Sequence, residues 1–145
     1  MHTPVIVVVA YNRPRSLERL LSSLKNAKNI DNARLIISID NKEPENYPVR
    51  DMANTFDWPF GEKEVIYQKT NLGLRKHILQ CGDYALKYGS VIILEDDLYV
   101  SPYFYDYTVK ALDFFGSDPK IGGISLFNYS YEDMTELPFV PITDD

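Results

Sequence analysis

The chain has 145 residues, of which 45% are hydrophobic and 25% charged, a composition typical of a globular domain with one core. We therefore expect a single domain over residues 1–145. The formal net charge is −6, so the chain lacks the concentrated basic surface that a nucleic acid requires. Nucleic acid is thereby excluded as the expected partner.

The charge is unevenly distributed along the chain. Residues 1–94 carry 13 Lys and Arg against 10 Asp and Glu, whereas residues 95–145 carry 2 against 11. A basic segment followed by an acidic one could bind a small phosphorylated ligand, with a divalent cation bridging carboxylates and phosphates. Two solvated surfaces explain the same pattern equally well.

Cysteine content and hydropathy bear on the compartment. Cys81 is the only cysteine, which rules out an internal disulfide and a cysteine-based zinc site. The apolar run over residues 5–10 is too short to span a membrane, and no basic segment of a signal peptide precedes it. We therefore expect a cytoplasmic protein without a membrane span. An acceptor substrate on a membrane would place it at the membrane surface.

The first half of the chain alternates predicted strands and helices. The β-branched run of residues 4–10 is typical of a strand buried on both faces. Pro14 can occupy the first turn of a helix whose leucines share one face. A second strand is predicted over residues 34–40, followed by a helix over residues 49–56 that the segment 58–61 terminates.

The second half continues this alternation. We predict strands over residues 63–69, 90–94 and 122–127. One helix is predicted over residues 74–87, and another over residues 101–115 begins with an N-cap serine and a first-turn proline. The alternation predicts an α/β fold with an open, mostly parallel, Rossmann-like sheet and helices on both faces.

Polar residues follow each predicted strand, at the edge where parallel sheets bind ligands. Adjacent carboxylates raise one another's pKa, and a divalent cation removes that cost. Mg²⁺ and Mn²⁺ prefer oxygen ligands and use one or two carboxylates, which leaves room for diphosphate oxygens. A solvated acidic turn without a ligand would also explain these acids. Their position directly after a buried strand favours a ligand site. The strand-end residues are Tyr11, Asn12, Arg13, Asp40, Asn71, Gly73, Arg75, Glu95, Asp96 and Asp97.

Residues 91–104, VIILEDDLYVSPYF, resemble the region around the acidic motif of family 2 and family 13 glycosyltransferases. Family 13 is the N-acetylglucosaminyltransferase I family. The resemblance continues in VVVAYNRP near the start, in ISID and in ISLFN, and it covers most of residues 4–130. It implies the donor-binding part of a GT-A fold. The implied activity is metal-dependent, inverting sugar transfer from a nucleotide-sugar donor, a UDP-sugar, to a hydroxyl of a glycan or other acceptor.

The resemblance also implies roles for individual residues. Asp97 matches the ligand of the Mn²⁺ (or Mg²⁺) that binds the donor diphosphate, and Asp96 and Glu95 match contacts to ribose or the transferred sugar. Arg13 and Asp40 match positions that hold the phosphate and base regions. Arg75 fits a surface helix residue equally well. The remaining matches to the nucleotide pocket are Tyr11, Asn12, Asn71 and Gly73.

The sequence does not assign the catalytic base. In the resembled families the base lies well beyond the fifth strand, in a second half that we expect this chain to lack. We therefore expect a fragment that binds donor and metal but transfers sugar poorly alone, with apolar surface that could lead to self-association. Solvation explains the late acids better than catalysis does. These acids are Asp133, Glu136, Asp144 and Asp145.

Two other interpretations stay open. A non-catalytic nucleotide-sugar-binding module has the same donor site without the chemistry. A sugar nucleotidyltransferase would carry a glycine-rich phosphate loop after the first strand, where this chain has residues 11–14, YNRP. Neither histidine is expected to act, because His2 is terminal and His77 has no acid or histidine at ligand spacing.

Overall fold

The computed structural model describes residues 2–127 as strands alternating with helices. The strands are β1 (Val5–Ala10), β2 (Leu35–Ile39), β3 (Lys63–Tyr67) and β4 (Val91–Glu95). The helices are α1 (Pro14–Lys25), α2 (Tyr47–Thr55), α3 (Leu74–Gly82), α4 (Tyr84–Tyr88) and α5 (Phe104–Phe115). Over this range, no helix combines the length and apolar character needed to cross a bilayer.

The four described strands form one parallel sheet in the order β3-β2-β1-β4. The chain adds β2 and β3 on one side of β1 and then crosses to place β4 on the other side. In a doubly wound sheet, this reversal opens a crevice at the carboxyl ends of the two strands between which the order reverses, here β1 and β4. We therefore expect a ligand site at the edge of the sheet where β1 and β4 end.

Helices cover both faces of the sheet, as predicted. Every residue of β1 is at most 4% exposed. Its even-numbered residues pack with Leu17, Val49 and Phe104 from α1, α2 and α5. Its odd-numbered residues pack on the other face, with Cys81 of α3 and Tyr84 of α4. Burial on both faces explains the unbroken β-branched sequence of this strand. The Rossmann-like α/β fold is confirmed.

The single helix predicted over residues 74–87 is wrong, because α3 and α4 are separated at Asp83. This residue keeps helical dihedral angles, with φ −63° and ψ −16°. The amide of Leu86 donates to the Asp83 carbonyl at 3.0 Å, a three-residue spacing that tightens the turn. Gly82, a poor helix former, directly precedes the break.

The start of α5 also differs from the prediction. Helix α5 begins at Phe104, and Tyr103 is its N-cap residue without a side-chain capping bond. Ser101 precedes a turn instead, in which the Tyr103 amide donates to its Oγ at 3.3 Å. The amide of Phe104 donates to the Ser101 carbonyl at 3.1 Å. The serine therefore stabilises the turn that leads into the helix.

The fifth strand predicted over residues 122–127 is not formed in the structure. These residues have no regular secondary structure. The apolar side chains of Leu126 and Phe127 are 40% and 68% exposed. Gly122 and Gly123 disfavour an extended strand, because glycine is depleted in strands.

Candidate functional site

The acidic motif emerges beside the end of β1. Glu95 is the last residue of β4 and is paired in register with Val9. The amide of Asp96 donates to the Val9 carbonyl at 3.1 Å, which fixes the chain as it leaves the sheet. The Asp96 side chain is only 3% exposed, whereas that of Asp97 is 46% exposed. One acid thus lies inside the edge and its neighbour faces solvent.

Arg13 bridges the two acids. Its Nη2 lies 2.6 Å from Asp96 Oδ1, and its Nη1 donates to Asp97 Oδ2 at 2.9 Å. The amide of Tyr11 donates to Asp96 Oδ2 at 3.4 Å, and Arg19 Nη2 donates to the Asp97 carbonyl at 2.6 Å. We call Arg13, Asp96 and Asp97 the acidic cluster. It joins the end of β1 to the end of β4.

Burial and charge oppose each other in this cluster. Burial raises the pKa of Asp96 above its ordinary value, because the Arg13 charge and the Tyr11 amide offset the loss of solvation only in part. For Arg13, burial alone would lower the pKa, but the charges of Asp96 and Asp97 raise it. Arg13 therefore stays protonated and is the cation that stabilises ionised Asp96.

Asp40 anchors the turn before α3. Its Oδ1 accepts hydrogen bonds from the amides of Asn41 at 2.9 Å and Leu72 at 2.8 Å. Its Oδ2 accepts one from the amide of Gly73 at 3.0 Å. Gly73 has φ 74°, a left-handed conformation that a residue with a side chain rarely adopts. The carboxylate therefore ties the end of β2 to the start of α3.

A second cluster forms around this turn. Asn71 Nδ2 donates to the Asn41 carbonyl at 2.7 Å. Asp40, Asn71 and Gly73 together form what we call the turn cluster. Arg75 is exposed on the first turn of α3. The amide of Asp40 donates to the Ala10 carbonyl at 2.9 Å, so the turn cluster starts beside the segment that carries the acidic cluster.

The other residues singled out from the sequence also lie along this edge. Tyr11 is 43% exposed, and Asn12 beside it is exposed as well. Glu95 is half-buried at the end of β4. The structure thus places all ten strand-end residues at the carboxyl edge of the sheet, and six of them belong to the two clusters. Contact with a nucleotide stays a prediction for each of them.

Two polar residues were missed as parts of this edge. His77 is 2% exposed, and its Nε2 lies 2.7 Å from Ser38 Oγ, so it makes a buried structural contact, and the expectation that it does not act stays a prediction. Asn46 is the buried N-cap residue of α2, and its Nδ2 donates to the Tyr11 carbonyl. An asparagine just before a helix is a recognisable N-cap signal, whereas His77 gave none, because its burial depends on tertiary packing.

The two carboxylates of the acidic cluster are suitable ligands for a hard divalent cation. They are too few to complete its coordination alone. Among residues 2–127, no group of three or more His, Cys, Asp or Glu side chains is placed to hold a metal ion. The half-exposed Asp97 carboxylate can serve as a single protein ligand, which suffices where diphosphate oxygens and water complete the coordination. The late acids Asp133, Glu136, Asp144 and Asp145 lie outside the described residues.

An open depression lies at the opposite end of the sheet. It has a volume of about 610 Å³, and its lining includes Asn32 ahead of β2 and Gly61 ahead of β3. These residues precede the strands, so the depression is remote from the carboxyl edge. Its lining includes no residue of the acidic or turn cluster, and we expect the ligand site at the other end because parallel sheets bind ligands there.

The fold and the polar carboxyl edge define a Rossmann-like α/β domain of the kind that binds nucleotides. The sequence matches glycosyl transferase family 2 over residues 5–137, and the chain belongs to that family. No curated protein sequence matches it.

Crystal structures of TarS from S. aureus share the fold. The TarS structure has a TM-score of 0.56 and 17% identity, over 78% of this chain and 20% of that one. TarS 1-349 has a TM-score of 0.54 and 18% identity, over 79% and 34%. TarS 1-349 in complex with UDP has a TM-score of 0.54 and 16% identity, over 79% and 33%. This chain therefore spans a fifth to a third of these neighbours' length.

Proposed function

We propose that this domain is the donor-binding part of a glycosyltransferase. The enzyme would transfer a sugar from a nucleotide-diphosphate sugar to a hydroxyl group of an acceptor. The observation that carries the proposal is the acidic cluster, where a buried acid and a half-exposed acid meet Arg13 at the switch point of the sheet. Membership of glycosyl transferase family 2 supports the reaction class. The UDP complex of TarS supports UDP as the nucleotide to test.

Each part of the edge has a role in this proposal. Asp97 would hold Mn²⁺ or Mg²⁺, which when bound neutralises the charge that develops on the departing diphosphate. Buried Asp96 is fixed by Arg13 and the Tyr11 amide, and it can accept a hydrogen bond from a ribose or sugar hydroxyl. The turn cluster holds the start of α3 in place, and this segment would line the pocket of the nucleobase. Inversion of configuration at the transferred sugar and a hydroxyl acceptor are also parts of the proposal. The catalytic base is unassigned.

A non-catalytic nucleotide-sugar-binding module is the second candidate. The contact between Arg13 and both acids favours it, because a built-in cation already neutralises part of the acidic charge. Such a module would bind the nucleotide-sugar without a metal ion. The family match gives no support to a sugar nucleotidyltransferase.

Calorimetric titration tests the donor site. We expect UDP and UDP-N-acetylglucosamine to bind in the presence of Mn²⁺, and removal of the metal to weaken binding at least about tenfold, because Asp97 would hold a metal ion whose positive charge would stabilise the bound diphosphate. Asp97→Asn should abolish the manganese dependence. Asp83→Asn is the matched control, since Asp83 is an exposed acid at the junction of α3 and α4. Equal binding with and without metal would favour the non-catalytic module, and no binding by the folded chain would contradict the donor site.

A further inference from the structure

Arg13 contacts the Asp97 carboxylate that would hold the metal ion. Its guanidinium is 2.9 Å from Asp97 Oδ2 and 2.6 Å from Asp96 Oδ1. The residue follows β1 and is the N-cap residue of α1, where its side chain makes no capping bond. Because the side chain is 53% exposed, it can reorient without disturbing the core.

The two contacts of Arg13 are unequal. Asp96 is 3% exposed, so a loss of its cationic partner would leave a buried carboxylate uncompensated. Asp97 is 46% exposed, so water or a metal ion can replace the arginine there. The contact with Asp97 is therefore the cheaper one to break. Arg19 donates to the main-chain carbonyl of Asp97 at 2.6 Å and does not contact its carboxylate.

We propose that Arg13 is the resident counter-cation of Asp97, and that donor binding moves Arg13 to the diphosphate and frees Asp97 for the metal ion. The inference rests on the proposed donor site. Without nucleotide, Arg13 and the metal ion compete for the same carboxylate. With nucleotide, the diphosphate attracts Arg13 and exposes Asp97, so that each ligand favours the binding of the other.

Two binding measurements on the whole chain separate this role from a structural one. Mn²⁺ alone, followed by electron paramagnetic resonance of the free ion, should bind about three- to tenfold more tightly to Arg13→Gln, since an exposed ion pair no longer competes. UDP in saturating Mn²⁺ should bind about tenfold more weakly to the same variant, because one contact to the diphosphate is lost. A merely structural role would weaken both.

Arg19→Gln is the charge-matched control. It removes one positive charge beside the acidic cluster, but Arg19 contacts the main chain of Asp97 and not its carboxylate. We expect its affinity for Mn²⁺ alone to rise less than about twofold. Arg13→Lys is a second variant in case Arg13→Gln fails to fold, as judged by circular dichroism. It keeps the charge but loses the two-pronged contact, so its affinity for Mn²⁺ should be intermediate.

The outcomes distinguish this inference from the proposed function. The inference would be overturned by an unchanged or weaker affinity of Arg13→Gln for Mn²⁺, or by an equal gain in affinity in Arg19→Gln. The donor site would still be supported if the unaltered chain bound UDP. Failure of the unaltered chain to bind UDP with Mn²⁺ would overturn both. Opposite shifts of Mn²⁺ and UDP affinity in Arg13→Gln alone would support the exchange.

Discussion

At the scale of single residues, His77 is a buried polar residue beneath the carboxyl edge of the sheet. Its ring nitrogen Nε2 lies 2.7 Å from Ser38 Oγ, and the same hydroxyl oxygen accepts a hydrogen bond from Gln68 Nε2 at 3.1 Å. Burial lowers the pKa of His77, and the nearby charge of Asp40 opposes that shift only in part. Protonated His77 is therefore destabilised in the folded chain. The imidazole helps to join α3 to β2 directly below the turn cluster.

The depressed pKa of His77 predicts loss of stability on acidification. In the unfolded chain, His77 gains its proton as the pH falls below about 6.5, whereas in the folded chain it does so only at lower pH. The free energy of unfolding should thus be fully retained above pH 6.5. It should decrease below that pH by at most about 1.4 kcal/mol per pH unit from this group.

Urea denaturation between pH 7.5 and pH 5.5 measures this effect. His77→Gln should reduce the pH dependence of the free energy of unfolding, whereas Leu79→Gln should leave it unchanged, because Leu79 is 63% exposed on the same helix and carries no titratable group. An unaltered pH slope in His77→Gln would show that the histidine is not the responsible group.

At the scale of elements, two loops at the amino-terminal end of the sheet hold β2 and β3 in register. Trp58 Nε1 donates to the Ala33 carbonyl at 2.7 Å, and the Ala33 amide donates to the Phe60 carbonyl at 2.9 Å. Gly61 lies directly against this junction, where an added Cβ would come within 2.4 Å of the Ala33 carbonyl oxygen. The glycine is required for close approach of the two loops.

Gly61→Ala should therefore destabilise the fold. The clash is with main-chain atoms, which can move only by shifting a loop, so we expect a loss of about 1–3 kcal/mol in the free energy of unfolding. Chemical denaturation checks this value. Gly123→Ala is the control, because an added Cβ there meets no atom within 4 Å and should have little effect. A neutral Gly61→Ala would mean that the loops separate easily.

At the scale of the whole molecule, the two ends of the sheet are chemically different. The carboxyl end holds the acidic and turn clusters, and the amino-terminal end holds the depression lined by Asn32 and Gly61. The core between them is β1, which is paired on both sides and buried on both faces. A ligand can bind at either end without direct contact with the other.

Hydrogen exchange with and without UDP and Mn²⁺ should show which end is occupied. We expect slower exchange at residues 11–13, 71–73 and 95–97, because their amides lie at the carboxyl edge beside the two clusters. Amides around residues 30–32 and 59–61 should be unaffected and serve as the internal control. Protection confined to the latter segments would place the ligand in the depression instead.

The sequence determined the elements because their signals are local. The β-branched run of β1 predicts a strand buried on both faces, and the leucine spacing of α1 predicts a helix with one buried face. Strand boundaries agree with the predictions to within one or two residues. The split at Asp83 and the absence of a strand over residues 122–127 differ from the predictions, because turn geometry and strand pairing are not set by the local apolar pattern alone.

The acidic motif could be recognised from the sequence, since three acids that directly follow a buried strand are unusual. Which of them is buried is a tertiary property: β4 lies beside β1, so Asp96 turns inward against Arg13 and Asp97 turns outward. The ion pairs join residues more than 80 positions apart. Local patterns set strands, helices and the composition of the edge, whereas only packing decided which charges meet there, because those contacts depend on the strand order.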